Sequence, residues 1–316
     1  MHRYLTKRLL LSIPTIFGLT VLIFFTLRVL PGDVALTILG EDTQVDHQRL
    51  LEIRRELGLD QPIYVQYGQW MWSILRLDPG RSFGSDYPIA KRLAAAIPIT
   101  FNLAVYALIL TLIVAIPLGA VSAVHQDSWV DYASRAAALV GLSTPGFWVG
   151  IMVIMFLAFY VGWMPQLQLV SFFEDPWKNF TQLFWPALVI AIAQTAVITR
   201  MTRSTLLEVL REDYVRTARA KGLRERVVIV RHALKNAMLP VITLIGLEFA
   251  GLMNGAVITE TVFAVPGLGS TLIQGINAKD FPLIQATVLF IGLIVVLVNL
   301  LVDLSYAWLD PRIKYR

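Results

Sequence analysis

The stretch Asp213-Tyr-Val-Arg-Thr-Ala-Arg-Ala-Lys-Gly222 lies inside a basic segment, residues 200–235, that separates two long apolar runs. Asp213 is a good N-cap residue, and Gly222 can adopt the left-handed conformation that ends many helices. We therefore predict a short helix over residues 214–221, about 12 Å long at 1.5 Å per residue. Three small residues let another surface approach it closely: Thr217, Ala218 and Ala220. These features favour a docking element over a catalytic loop.

The composition of the 316-residue chain is that of a membrane protein. Hydrophobic residues make up 56% of it and charged residues 16%, and its mean hydropathy is +0.65, which is too apolar for an ordinary soluble domain. Apolar stretches close to the length of about 20 residues that crosses a bilayer occur over 9–27, 99–124, 136–161, 183–201, 240–263 and 283–309. We predict an all-α integral membrane protein with six transmembrane helices.

Lysine and arginine are distributed unevenly between the two sides of these spans. They are concentrated before the first span, in residues 200–235 and in the C-terminal tail, whereas the alternating loops carry only Lys178 and Lys279. The positive-inside rule therefore predicts that both termini and the basic segment face the cytoplasm. Residues 31–98 mix acids and bases, and we predict them to be extracytoplasmic.

The extracytoplasmic segment and the prolines of the spans carry further local signals. Residues 44–57 and 62–75 are predicted to form amphipathic helices, and residues 78–84 a turn-rich loop. Trp70 and Trp72 fit either a small cap that contacts a partner or an interfacial aromatic belt. Prolines interrupt several spans and indicate bendable helices around a pathway. They are Pro14, Pro117, Pro145, Pro186 and Pro240.

The fifth predicted span carries polar residues that are candidates for a translocation pathway. Glu248, Gly251 and Gly255 fall on one helix face, and the two glycines form a GxxxG pattern. A carboxylate within a span costs about 3 kcal/mol on insertion scales, so we expect it to face a bundle interior or a watery cavity. The candidates are Glu248, Gly251, Asn254, Gly255 and Glu260. A packing seam, with Glu248 hydrogen-bonded to a neighbouring helix, fits the same pattern.

Several kinds of chemistry have no support in the sequence. The chain contains no G-x-x-x-x-G-K-[ST], no H-E-x-x-H and no G-x-S-x-G. Its four histidines are dispersed and it has no cysteine. We therefore predict no ATP site, metal site or catalytic residue in this chain. The basic segment lacks the interleaved aromatic residues of a nucleic-acid site and is expected to contact membrane lipid.

Three stretches, 202–210, 212–223 and 231–240, closely resemble the cytoplasmic loop of the dipeptide/oligopeptide branch of ABC importer permeases. The resemblance extends over nearly the whole chain. The chain is similar to the first, B-type, of the two permease subunits. Further matching motifs are Leu30-Pro-Gly-Asp33, Glu56-Leu-Gly-Leu-Asp-Gln-Pro62, Thr259-Glu-Thr-Val-Phe263, Pro266-Gly-Leu-Gly269, Asn299-Leu-Leu-Val-Asp303 and Asp310-Pro-Arg312.

The resemblance implies a type I ABC importer permease fold in a bacterial or archaeal cytoplasmic membrane. Its parts would be residues 1–30 with the first span, an extracytoplasmic segment 31–98, and a core 99–316 with a coupling loop at 202–236. That loop would dock on an ATPase subunit. Arg216 and Thr217 depart from the Glu-Ala of the general family signature, whereas Ala218 and Gly222 match it. The expected docking residues are Asp213, Tyr214, Arg216, Thr217, Ala218, Arg219, Lys221 and Gly222.

By the same resemblance, the chain would be a non-catalytic permease subunit of an ATP-driven, binding-protein-dependent peptide importer. Its expected partners are a second permease subunit, ABC ATPase subunits that bind ATP and Mg²⁺, and an extracytoplasmic substrate-binding protein. Glutathione, nickel chelates and oligosaccharides are alternative substrates within this branch. Outside it, the alternatives are a self-sufficient ion-coupled carrier or channel, in which Glu248 and Glu260 would be the ion sites, and a membrane enzyme.

Overall fold

The structure is a computed structural model that describes residues 2–29, 51, 54, 60–83, 85–166 and 168–309, with the side chains at 2–7, 27–29, 253–255 and 303–309 left undescribed. Its regular elements are helices. In chain order they are α1 (His2–Val29), α2 (Ile63–Leu75), α3 (Ile89–Val124), α4 (Trp129–Ser143), α5 (Gly146–Tyr160), α6 (Pro176–Leu210), α7 (Asp213–Ala220), α8 (Glu225–Val227), the π-helix π1 (Val228–Leu234), α9 (Lys235–Val262), α10 (Leu268–Asn277) and α11 (Phe281–Leu309).

Five helical stretches are long and apolar enough to cross a membrane: Arg8–Thr26, Ile89–Val124, Pro176–Leu210, Glu225–Leu252 and Phe281–Val302. Helices α4 and α5 meet the same criterion only as a pair, with a bend of 99° between them. The prediction of an all-helical, six-span protein is confirmed when this pair is counted as one span.

The predicted third span, residues 136–161, is wrong as a continuous helix. The chain leaves the helix after Ser143, and Thr144 is extended at φ −90° and ψ 125°. The cause is Pro145, because the ring of a proline disfavours helical backbone in the residue before it. Helix α5 then begins at Gly146, directly after the proline.

Helices α3 and α6, of 36 and 35 residues, form the centre of the bundle and approach each other closely through small residues. Ala107 and Ala187 are fully buried in one apolar cluster. A Cβ atom added at Gly119 would lie 2.7 Å from the Cβ of Thr202. Small side chains let helix backbones pack tightly where lipid supplies no hydrophobic driving force between them.

Helix α3 begins at Ile89, ten residues before the predicted start at 99. Its first turns are amphipathic, because Ile89, Leu93 and Ala96 are buried while Lys91 is exposed. A hydropathy run ends at such charged residues, whereas the helix continues through them with its apolar face inward. The amphipathic face packs against Leu268 of α10 and Leu283 of α11.

Helix α2 confirms the predicted helix at 62–75 and lies against α1. Tyr67 is hydrogen-bonded to the Thr20 hydroxyl at 2.8 Å, and the ring centroid of Phe24 lies 5.2 Å from Tyr67 and 5.7 Å from Trp70. Trp70 therefore fixes this segment to the first helix, while Trp72 is 57% exposed. The other predicted helix, 44–57, falls almost entirely outside the described residues.

One end of the bundle lies beside α7. Helices α3 and α6 end there, and helices α4 and α9 begin there. We call this the basic end, since residues 200–235 lie there, and we call the other the opposite end.

Candidate functional site

Helix α7 forms at the basic end between α6 and the helical stretch that leads into α9. It begins at Asp213, one residue before the predicted start. Glu212 occupies the N-cap position in an extended conformation and makes no side-chain capping bond, so the prediction of Asp213 as N-cap is wrong by one residue. Asp213 and Arg219 still place an acid in the first turn and a base in the last, which suits the helix dipole.

Gly222 ends this helix, as predicted. Its φ of +77° lies in the left-handed region. The Gly222 amide donates to the Arg219 carbonyl at 2.9 Å, and the Leu223 amide donates to the Ala218 carbonyl at 3.4 Å. This bond pattern is the Schellman motif, which satisfies carbonyls that the helix leaves free and turns the chain back sharply.

One face of α7 is buried in the protein itself. Val215 is 0% exposed and Ala218 is 7% exposed. They share an apolar cluster with Leu206 of α6, Val228 and Ala233 of π1, Ala237 of α9 and Ala123 of α3. This cluster joins α7 to four other elements, so that it cannot move far without moving them.

The other face of α7 is exposed. Seven of the eight predicted docking residues lie on it or at its ends: Asp213, Tyr214, Arg216, Thr217, Arg219, Lys221 and Gly222. The eighth, Ala218, points inward. Arg219 forms an ion pair with Glu225 at 2.7 Å. Its hydrogen bonds to the Glu225 carboxylate raise the pKa of the Arg219 guanidinium. The ion pair fixes the reversed chain after Gly222 against the helix.

Hydrogen bonds that involve Tyr214 join α7 to π1 and to the start of α9. Asn236 donates its side-chain amide to the Tyr214 hydroxyl at 2.8 Å and to the carbonyl of His232 at 3.1 Å. The Tyr214 hydroxyl donates to the same carbonyl at 3.4 Å. Sequence reasoning did not single out His232 and Asn236, although their spacing of four residues places them on one helix face.

A buried ion pair near the basic end was also not predicted. Arg203 of α6 donates through Nε and Nη2 to the two carboxylate oxygens of Asp131 in α4, each at 2.6 Å. Asp131 is fully buried and also accepts from the Ser122 hydroxyl of α3 at 2.6 Å. The pair therefore ties α3, α4 and α6 together just before α7. The available signal was the apolar setting, in which a buried charge needs a partner.

The two candidate pathway carboxylates lie in different surroundings. Glu248 of α9 is half-buried. Gly251, one turn further along, is exposed, and a Cβ atom added there would have no atom of the described residues within 4 Å. Gly251 is thus not packed against the described part of this chain. The side chains at the other two candidates, Asn254 and Gly255, are outside the described residues.

Glu260 is fully buried towards the opposite end. Its carboxylate accepts from the Thr100 hydroxyl at 2.6 Å and from the Ser270 amide at 3.0 Å. Gly267 packs directly on the same carboxylate, where a Cβ atom would collide. Glu260 therefore holds the start of α10 against α3 and α9, and it has no exposed surface at which to meet an ion.

The described residues contain no group of three His, Cys, Asp or Glu side chains that could hold a metal ion. The candidate site consists of an exposed short helix that is firmly attached to the ends of two long helices.

Comparison with known proteins matches both parts of the chain to family models. Residues 115–315 match the model described as binding-protein-dependent transport system inner membrane component, and residues 1–104 match the N-terminal model for membrane components of such systems.

Curated relatives are similar over their full length. The chain is 40% identical over 335 residues to the dipeptide transport system permease protein DppB of Alkalihalophilus pseudofirmus, covering 100% of both chains. It is 39% identical over 339 residues to DppB of Escherichia coli (strain K12), again covering 100% of both.

Solved structures share the fold at low sequence identity. An inward-facing MetNI methionine ABC transporter matches with a TM-score of 0.58 and 15% identity over 69% of this chain and 96% of that chain. An amino acid ABC transporter crystallised with histidines matches with a TM-score of 0.54 and 13% identity over 69% and 94%. These matches confirm the predicted type I importer permease fold.

Proposed function

We propose that this chain, which belongs to the family of binding-protein-dependent transport system inner membrane components, is a permease subunit of an ATP-driven peptide importer. It would form half of a translocation pathway together with a second permease subunit, and an extracytoplasmic binding protein would deliver the substrate. The full-length similarity to dipeptide permeases favours di- and oligopeptides as substrates. The carrier alternative has no support among the relatives.

The observation that carries this proposal is the two-sided attachment of α7. Val215 on its inner face packs against α6 and α9, the Tyr214–Asn236 hydrogen bond attaches the helix to α9, and its outer face is exposed and can contact another protein. A partner that pushes on the outer face would move the ends of two spans together as a rigid body. We therefore assign α7 as the coupling helix that docks on an ATPase subunit.

In this account the chain performs no bond-breaking chemistry, and ATP and Mg²⁺ are bound by the ATPase subunits. The basic end, with both termini, faces the cytoplasm of an inner membrane, and residues 31–98 are extracytoplasmic. The placement of lysine and arginine supports this orientation.

Site-directed cross-linking tests the docking assignment. The chain has no native cysteine, so a single introduced thiol is the only one on this chain. Thr217→Cys, on the outer face of α7, should cross-link to an ATPase subunit that co-purifies with the tagged chain in mild detergent. Ala218→Cys, one residue away on the buried face, is the matched control and should give no cross-link. Cross-linking of Ala218→Cys alone, or of neither variant in a complex that retains its ATPases, would refute the assignment.

A further inference from the structure

A cavity of about 1000 Å³ opens between α4 and α9, above α6, in the half of the bundle nearest the basic end. Its wall includes Tyr132 and Leu139 of α4, Met201 of α6 and Leu244 of α9. Three arginines also line it, Arg135, Arg200 and Arg203, and none of its described lining residues is acidic.

Two of these arginines carry charge that the protein does not neutralise. Arg203 is fully engaged by Asp131 through two hydrogen bonds of 2.6 Å. Arg135 lies over the ring of Tyr132, with its guanidinium carbon 5.7 Å from the centroid. Within the described part of the chain, neither Arg135 nor Arg200 forms an ion pair. Both are exposed, so the cavity presents two unpaired guanidinium groups.

The α4–α5 pair and α9 are separated by this cavity near the basic end, but they are packed together at the opposite end. A Cβ atom added at Gly150 of α5 would lie 3.3 Å from side-chain atoms of Val262 and Phe263 at the end of α9. The ring centroids of Trp163 and Phe263 are 6.5 Å apart. The groove between the α4–α5 pair and α9 is therefore closed at the opposite end and open at the basic end. If this chain lines half of a translocation pathway, as the proposed function holds, that half is open towards the basic end.

Helix α9 carries a carboxylate one turn beyond the cavity. Leu244 lines the cavity, and Glu248 follows it on the same face of α9, one turn and about 6 Å deeper into the membrane. Glu248 is half-buried. The open end is thus cationic, and the next turn inward carries a carboxylate.

We propose that Arg135 and Arg200 bind the terminal carboxylate of the transported peptide in the inward-open state. This inference rests on the proposed function of the chain as a peptide permease. A guanidinium group matches a carboxylate by two parallel charge-assisted hydrogen bonds, which are about twice as strong as neutral ones. A zwitterionic peptide with its carboxylate between these arginines could extend its amino group towards Glu248, one turn beyond Leu244 on α9. The site selects for a free C-terminus and makes no demand on side chains.

The test measures peptide binding to the assembled complex in nanodiscs, without nucleotide and without the binding protein. The probes are the dipeptide Ala-Ala and its C-terminal amide, followed by saturation-transfer NMR. The double variant Arg135→Gln/Arg200→Gln should weaken binding of the free acid at least tenfold and leave the amide unchanged. Arg226→Gln removes an exposed arginine outside the cavity and should change neither. Arg135→Lys/Arg200→Lys keeps both charges and should retain much of the affinity, which separates charge recognition from a loss of structure.

Equal affinity of parent and double variant for the free acid would overturn the proposal, as would an equal loss for acid and amide. Loss of co-purified anionic phospholipid from the double variant, with peptide binding unchanged, would show that the arginines hold a lipid headgroup instead. ATP-driven peptide uptake by the same complexes keeps the two proposals apart. A parent complex that transports peptide but shows no arginine-dependent binding refutes this inference alone, whereas absence of uptake refutes the proposed function.

Discussion

Gly222 is the residue on which the geometry of α7, the proposed coupling helix, depends most directly. A Cβ atom at this position would meet no atom of the described residues within 4 Å, so a larger side chain has space. The difficulty is the backbone, because φ is +77° and an L-residue pays about 1–2 kcal/mol in the left-handed region. A β-branched residue tolerates this conformation least, whereas asparagine adopts it readily.

We therefore expect Gly222→Val to reduce ATP-driven uptake by about 5- to 30-fold, the equivalent of 1–2 kcal/mol. ATP hydrolysis by the complex should continue, since no residue of the nucleotide site is changed. Gly222→Asn is the control and should transport at close to the parental rate. Uptake and hydrolysis measured in the same proteoliposomes give the answer, and normal uptake by the valine variant would contradict the role given to α7.

Glu260 illustrates how a carboxylate in a span can be structural. Its partners are Thr100 and Ser270, and removing its oxygens leaves both of these buried donors unsatisfied. Each unsatisfied donor costs about 1–3 kcal/mol. Glu260→Ala should therefore lower the thermal midpoint of the detergent-solubilised complex clearly, and Glu260→Gln, which keeps one acceptor oxygen, should lower it less. Unchanged midpoints combined with lost uptake would return Glu260 to the pathway.

At the scale of elements, the Asp131–Arg203 ion pair attaches α4 to α6, so that α4 moves together with α6. Removing one member of a buried ion pair costs about 3–5 kcal/mol, and we expect the lower end because the Arg203 side chain is 20% exposed. Asp131→Asn should accordingly lower the thermal midpoint and weaken coupling between hydrolysis and uptake. Asp213→Asn breaks the exposed Asp213–Arg216 pair and should leave the midpoint unchanged. Equal midpoints for the two variants would contradict this account.

The boundaries of the helices were predictable from the sequence only in part. The C-terminal end of α7 was predicted to within one residue because Gly222 acts through its own backbone, whereas the N-cap assigned from sequence, Asp213, was one residue too late. Pro145 was recognised as an interruption, but the 99° bend was not predicted, since a bend angle depends on the packing of α5 against α9. The start of α3 was missed because its first turns are amphipathic.

The candidate site was predictable only where its signals are local. Seven of the eight expected docking residues are exposed, whereas the inward position of Ala218 follows from a cluster built by five elements. The partners of Glu260 and Asp131 lie as far as 160 and 72 residues away in the chain. No periodicity within one segment indicates such pairings, because they arise from the arrangement of whole helices.

At the scale of the whole molecule, the proposed orientation in the membrane rests on the distribution of charge. Ser171 lies in an exposed loop at the opposite end, and Lys221 lies at the basic end. In the absence of native cysteine, Ser171→Cys should react with a membrane-impermeant thiol reagent added to intact cells. Lys221→Cys should react only after the membrane is permeabilised. The reverse pattern would invert the proposed topology and place α7 out of reach of any cytoplasmic ATPase.

The central claim is that this chain transports peptide only as part of an ATP-driven complex. The most direct measurement is uptake of a labelled dipeptide into proteoliposomes that contain either the co-purified complex with its binding protein or this chain alone. We predict ATP-dependent uptake by the complete complex and none by the chain alone. Uptake by the isolated chain without ATP, driven by an ion gradient, would contradict the account and establish a self-sufficient carrier.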